Sequence, residues 1–274
     1  MLTTASSYQD QAERVYSTVL QHLGAAQVRV LHITCREEAN DQRFVDAIYA
    51  STAVFMTGGD QSRLSSILGG SEVGKAMHRG YKRMGMTIAG TSAGAAAISE
   101  HMIVGGRAGL HPRKFMLNLA PGLGLLKRVV IDQHFTQRRR LGRLLSVVAQ
   151  NPFILGVGID EDTAILVTPD SRLEVLGSEI VTILDGRHLS HTNVVTAKRN
   201  EHLAVCNVHL HILPAAYGYH IENRQIVPPA AEQAEAPAPP ARPAKSKGKG
   251  EVLPLRPPPR SAAVGDDGGE GSRR

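Results

Sequence analysis

Short apolar runs of strand length alternate with amphipathic segments of helix length up to about residue 160, and this alternation limits the possible folds more than any other feature. "QVRVLHIT", "TAVFMTGG", "MTIAGTSA", "RVVIDQHF" and "ILGVGID" read as strands. "SSYQDQAERVYSTVLQHLG", "DQRFVDAIYAS", "GGSEVGKAMHRGYKRMG" and "QRRRLGRLLSVVAQN" read as helices, the last with Leu141, Leu144, Leu145 and Val148 as its core-facing stripe. Strand, helix, strand repetition predicts an α/β fold with a mostly parallel central sheet flanked by helices on both faces. From "TAILV" onward, the short runs "LEVLG", "VTILDG" and "LAVCNVHLHIL" predict a small antiparallel C-terminal extension. Residues 1–227 thus read as one domain. Beyond it, 228–274 is rich in Pro, Ala, Gly and charge, cannot bury enough apolar surface to offset chain entropy, and is expected to be a disordered tail.

Several function classes are disfavoured by composition. The net charge of +6 could suit nucleic acid, yet aromatics are 4% and Trp is absent, so no stacking platform is expected and nucleic acid is not an expected partner. Cys35 and Cys206 are too few for a disulfide framework or a four-thiolate zinc site. The N-terminus lacks the basic, apolar, small-residue order of a secretion signal, and no apolar run has membrane-spanning length. A cytoplasmic protein without a membrane partner is the expectation.

In an open parallel sheet, reactive groups collect where strands end and loops begin. Four such points occur: "TGGDQ", "GTSAG", "DQHF" and "GIDED". Gly90-Thr91-Ser92-Ala93-Gly94 matches a nucleophile elbow, in which small neighbours let a strained turn lift the serine hydroxyl above the sheet. A serine hydroxyl needs a base, and His134 at the end of "VVID" is the favoured one. A carboxylate that orients the imidazole could come from Asp160, Glu161 or Asp162. The order Ser, His, acid differs from that of α/β-hydrolases. An N–H of Gly59 or Asp60 could complete an oxyanion hole with that of Ala93.

Together these residues resemble the serine peptidase family that contains the cyanophycinases and the aspartyl dipeptidases (peptidase family S51), and within it the cyanophycinases. The resemblance runs from about Thr4 to Val227 through "TASS", "GGDQ", "GTSAGA", "DQHF" with its spaced arginines, and "GIDEDTA". It implies a Ser-His-Glu triad of Ser92, His134 and Glu161, and thereby selects Glu161 among the three acids. It also implies substrate contacts by Gln61, Asp132 and Gln133.

The implied substrate is cyanophycin, a polyaspartate whose side chains each carry an amide-linked arginine, so that every repeat presents a guanidinium and a carboxylate. Arg138, Arg140 and Arg143 follow His134, the last two spaced as neighbours on a helix surface, and arginine forks suit carboxylates. The implied reaction is exopeptidase cleavage through an acyl-enzyme on Ser92, releasing β-Asp-Arg, with no metal or organic cofactor. A homodimer is a family-level expectation. The family pattern further implies a strand with a Gly-Gly-x-Glu type motif ahead of residue 1, and it does not include the Pro-rich tail. Two alternatives are an α-aspartyl dipeptidase sharing the triad and a non-catalytic binding protein on the same fold.

Overall fold

The computed structural model describes residues 1–230; the tail expected over 228–274 therefore lies, from 231 onward, outside the described residues. The helices are α1 (Gln9–His22), α2 (Gln42–Tyr49), α3 (Gln61–Leu68), α4 (Glu72–Arg83), α5 (Ala93–Ile98) and α6 (Leu141–Gln150). The strands are β1 (Ala53–Met56), β2 (Thr87–Gly90), β3 (His101–Gly106), β4 (Leu117–Pro121), β5 (Val129–Gln133), β6 (Leu155–Ile159), β7 (Thr163–Val167), β8 (Arg172–Gly177), β9 (Val181–Asp185), β10 (His191–Thr192), β11 (Val205–Cys206), β12 (His209–Leu213), β13 (Gly218–His220) and β14 (Gln225–Val227).

The apolar alternation builds an α/β fold, but its sheets are small and mixed rather than one mostly parallel sheet. β1 and β2 form a parallel pair. Leu2 extends this pair by parallel bridges to Met56 on one side and Leu31 on the other. The run "QVRVLHIT", expected as a full strand, contributes only that bridge. β5 and β6 form a second parallel pair, which β9 and β12 extend in antiparallel fashion in the order β12-β9-β6-β5. The predicted antiparallel extension is thus divided: β7, β8, β13 and β14 form a separate antiparallel sheet, while "VTILDG" and "HLHIL" join the parallel pair. Antiparallel returns need only short connections, whereas another parallel strand needs a crossover of a dozen or more residues, and after α6 the chain has no further helix of that kind among the described residues.

Three buried clusters hold these layers. The first gathers Leu2, Ile33, Met56, Leu64, Met77, Ala93 and Ala97 around β1, β2 and their helices. The second lies between the two four-stranded sheets, with Ile131, Val157, Ile183, Leu173, Val175 and Tyr219. The third packs α6, through Leu144, Val147 and Val148, against Val130 and Leu184 on the opposite face. Strand alternation explains how β5 serves both of the latter: Val129 and Ile131 point to one cluster, Val130 to the other. Asp132 shares the parity of Val130 and so faces α6. Truncating Leu144, fully buried, to alanine would cost about 2–5 kcal/mol.

Candidate active site

β2 runs directly into the turn that carries Ser92, and α5 follows it. Ser92 has φ 49° and ψ −110°, a conformation that a non-glycine residue adopts at a cost of about 1–3 kcal/mol. The surrounding packing enforces the bend. A Cβ on Gly94 would collide with the Met56 carbonyl of β1, so only glycine lets α5 start so close to the sheet.

His134 is the first residue after β5 and also has a positive φ, 49°. Its Nε2 lies 2.9 Å from Ser92 Oγ, and its Nδ1 lies 2.7 Å from Glu161 Oε1. With Nδ1 protonated and donating to the carboxylate, Nε2 is left to accept from the serine hydroxyl. The imidazole is 24% exposed and Glu161 is 53% exposed, so the relay opens to solvent at its acid end.

The other two candidate acids have different partners. Asp160 is buried, and its Oδ1 accepts from the Thr136 N–H at 2.9 Å, which fixes the turn just after His134. Asp162 is exposed with φ 51°, and its carbonyl accepts from Ser178 N–H. Geometry therefore brings Glu161 to the imidazole. The Glu161 N–H donates to Gln137 Oε1 at 3.2 Å. Sequence reading missed Gln137, whose only signal is its place three residues after His134.

The arginine run differs from expectation. Arg140 is not a helix-surface residue but the N-cap of α6, and it is buried together with Arg143 and Asp132. Arg143 Nε donates to Asp132 Oδ2 at 2.6 Å, its Nη2 donates to Oδ1, and Arg140 Nη1 reaches Oδ1 at 3.1 Å. Arg140 Nη1 also donates to the Gln133 carbonyl. Burial lowers the proton affinity of Arg140, with the Asp132 carboxylate opposing that effect. One aspartate between two arginines leaves a net positive charge two residues from His134. Arg138 is exposed and has no side-chain hydrogen bond or ion pair among the described residues.

Of the expected oxyanion donors, Asp60 is already occupied. Its N–H donates to the Ala5 carbonyl at 2.9 Å, and its side chain caps α3 by accepting from Ser62 N–H at 2.8 Å. The amides of Gly59 and Ala93 have no partner among the described residues. Gly59 has φ 140° and would clash with the Ala5 carbonyl if it carried a Cβ, so residues 5–6 brace this loop from behind. The Gln61 side-chain amide donates to the Ile103 carbonyl at 2.7 Å and ties α3 to β3.

The chain is similar to several known proteins. The model of "Peptidase family S51" matches residues 2–175. A cyanophycinase of Nostoc sp. is 41% identical over 213 residues, covering 78% of this chain and 72% of that protein. The cyanophycinase of Geminocystis herdmanii is 38% identical over 210 residues, 77% of each. The crystal structure of a peptidase from an acI-B1 Actinobacterium superposes with a TM-score of 0.53 at 20% identity, over 77% of this chain and 82% of that one, a likeness of fold.

Proposed function

The chain belongs to peptidase family S51, a family of serine-type peptidases, and from that premise we propose that it is an exopeptidase that hydrolyses cyanophycin to β-Asp-Arg dipeptides. The observation that carries the proposal is the hydrogen-bonded line from Ser92 Oγ through the His134 ring to Glu161. In this reading His134 Nε2 takes the hydroxyl proton as Ser92 attacks a backbone carbonyl of the polyaspartate. The resulting oxyanion meets the N–H groups of Gly59 and Ala93. His134 then gives the proton to the leaving amine as the oxyanion collapses, which breaks the peptide bond, re-forms the carbonyl and leaves the acyl ester on Ser92. A water, deprotonated by the same imidazole, cleaves the ester and restores the serine.

Glu161 holds the ring in the productive tautomer and offsets the transient imidazolium charge. Substrate contacts fall to Arg138, whose side chain has no partner among the described residues, and to Gln133. Arg140 and Arg143 act on the substrate carboxylate through the positive excess they leave around Asp132. Gln61 and Asp132 position neighbouring groups. By family resemblance, this reading extends to a cytoplasmic homodimer. Among the described residues, no helix is long and apolar enough to cross a membrane.

The test incubates the protein, and a Ser92→Ala form, with insoluble cyanophycin and assays soluble β-Asp-Arg. Release by the unsubstituted protein alone is the expected result. An intact polymer together with cleavage of α-aspartyl dipeptides would replace this reading with the dipeptidase one.

A further inference from the structure

A cavity of about 500 Å³ is lined by Ser6, Tyr8, Gln9, Asp10, Arg14 and Arg63 among others. Its size falls within the range of about 300–1,000 Å³ common for ligand sites. It adjoins the catalytic loop through the backbone: Ala5 and Ser6 touch Gly59, and Gly58 faces Ser92, where a Cβ would stand 3.4 Å from the serine Cβ. Arg63 sits on α3, whose first residue follows directly after "GGD".

The charges in this cavity are unspent. Asp10 and Arg14 stand four apart on α1 in the order that favours an ion pair, yet they form none among the described residues. Arg63 likewise has no side-chain partner among the described residues. The Gln9 side-chain nitrogen is buried with no hydrogen-bond acceptor among the described residues. Tyr8 is 75% exposed, a large ring face left open. Glu13 and His32 lie close to Asp10, with one ligand-type atom from each of the three within 4.8 Å of the others. Glu13 is engaged by His32 at 2.6 Å, so Asp10 remains the free carboxylate. The rest of α1 buries nothing.

We infer that this cavity is a second substrate subsite, one that takes the aspartyl-arginine repeat next to the pair of repeats at the scissile bond. Arg14 and Arg63 receive the carboxylate of that repeat; Asp10, with the Tyr8 ring, receives its guanidinium. The inference rests on the cyanophycin reading above and adds to it a dependence on chain length. A repeat carrying both signs of charge is the ligand that uses both sets of unpaired groups at once.

The experiment compares a two-repeat with a four-repeat cyanophycin segment, using an Arg14→Ala, Arg63→Ala double variant and, separately, Asp10→Asn. Binding is measured by calorimetry in the Ser92→Ala background and kcat/KM in the active one, and thermal melting verifies that each variant is folded. The four-repeat segment should bind the parent more tightly than the two-repeat segment, by about tenfold. That advantage should vanish in the double variant and shrink in Asp10→Asn, with the two-repeat values little changed. An unchanged length advantage in a folded variant overturns the subsite while leaving the cyanophycin reading intact. Failure of the active parent to cleave either segment overturns the cyanophycin reading, and the subsite with it.

Discussion

The Oγ of Ser92 and the Nε2 of His134 meet at 2.9 Å across 42 residues of sequence, each presented by a residue with a positive φ at the end of a parallel strand. Two independent bends must therefore hold for one hydrogen bond to exist, and the expected effects of substitution follow from what holds each bend.

Ser92→Gly removes both the hydroxyl and the strain at φ 49°. It should stabilise the fold by up to about 1 kcal/mol, because glycine reaches that conformation freely. It should also lower kcat by about 10⁴-fold or more, as removal of a serine nucleophile does elsewhere. Melting and β-Asp-Arg release on the same preparation test this; a variant that is active, or markedly less stable, would contradict it.

Glu161→Gln keeps the shape but no longer fixes the imidazole tautomer. Because Glu161 is half exposed, the fall in kcat should be about 10²–10⁴-fold, towards the lower end of the loss seen for a buried triad acid. Asp160→Asn weakens the Thr136 amide contact instead and should act on melting more than on kcat. Equal kinetic losses in the two would remove the distinction between them.

Asp132→Asn leaves Arg140 and Arg143 buried without their counter-charge. Breaking such a group costs about 3–5 kcal/mol, which for a domain of this size lowers Tm by roughly 10 °C. Differential scanning calorimetry reads this directly, and a shift under about 2 °C would show that the cluster does not hold the β5–α6 junction.

Tyr219 is fully buried and donates to Asp185 Oδ2 at 3.4 Å; burial, with the Asp185 carboxylate, pushes its pKa up to about 12. In the unfolded chain the phenol ionises near 10. Between roughly pH 10 and 12 the native state therefore retains a proton that the unfolded state loses, so the stabilisation is complete below that window and fades as pH rises through it. On the order of 2 kcal/mol is at stake. Tyr219→Phe should flatten this part of the urea-stability profile, and an unaltered slope would assign alkaline unfolding to other groups.

Much of the site could be read from sequence because its parts are local. "GTSAG" states the turn and its small neighbours, and "DQHF" puts His134 at a strand end. Choosing among Asp160, Glu161 and Asp162 requires knowing which side of a tight turn faces β5, and that is a tertiary fact. The arginines were misplaced for the same reason. Spacing predicts a helix surface for Arg140 and Arg143, but Asp132 lies 8 and 11 residues earlier and draws both inward.

The sheets show a similar limit. Apolar runs mark strands without stating direction, so it could not be seen that β9 pairs antiparallel with β6 and that β12 follows at its other edge. Leu2 shows the converse, since two residues of chain beside "TTASS" carry too little pattern to announce the pairing with Leu31 and Met56.

Ser92 is anchored in the cluster around Met56 and Ala93, whereas His134 and Glu161 follow strands rooted in the clusters around Val130 and Ile159. The Ser92 hydroxyl and the His134 ring are thus set by different clusters of one compact unit, and their alignment depends on how α5 packs against β5. A small shift of α5 against β5 would part hydroxyl and imidazole without unfolding either element, so hydrolysis is expected to fail in mild denaturant before any spectroscopic sign of melting.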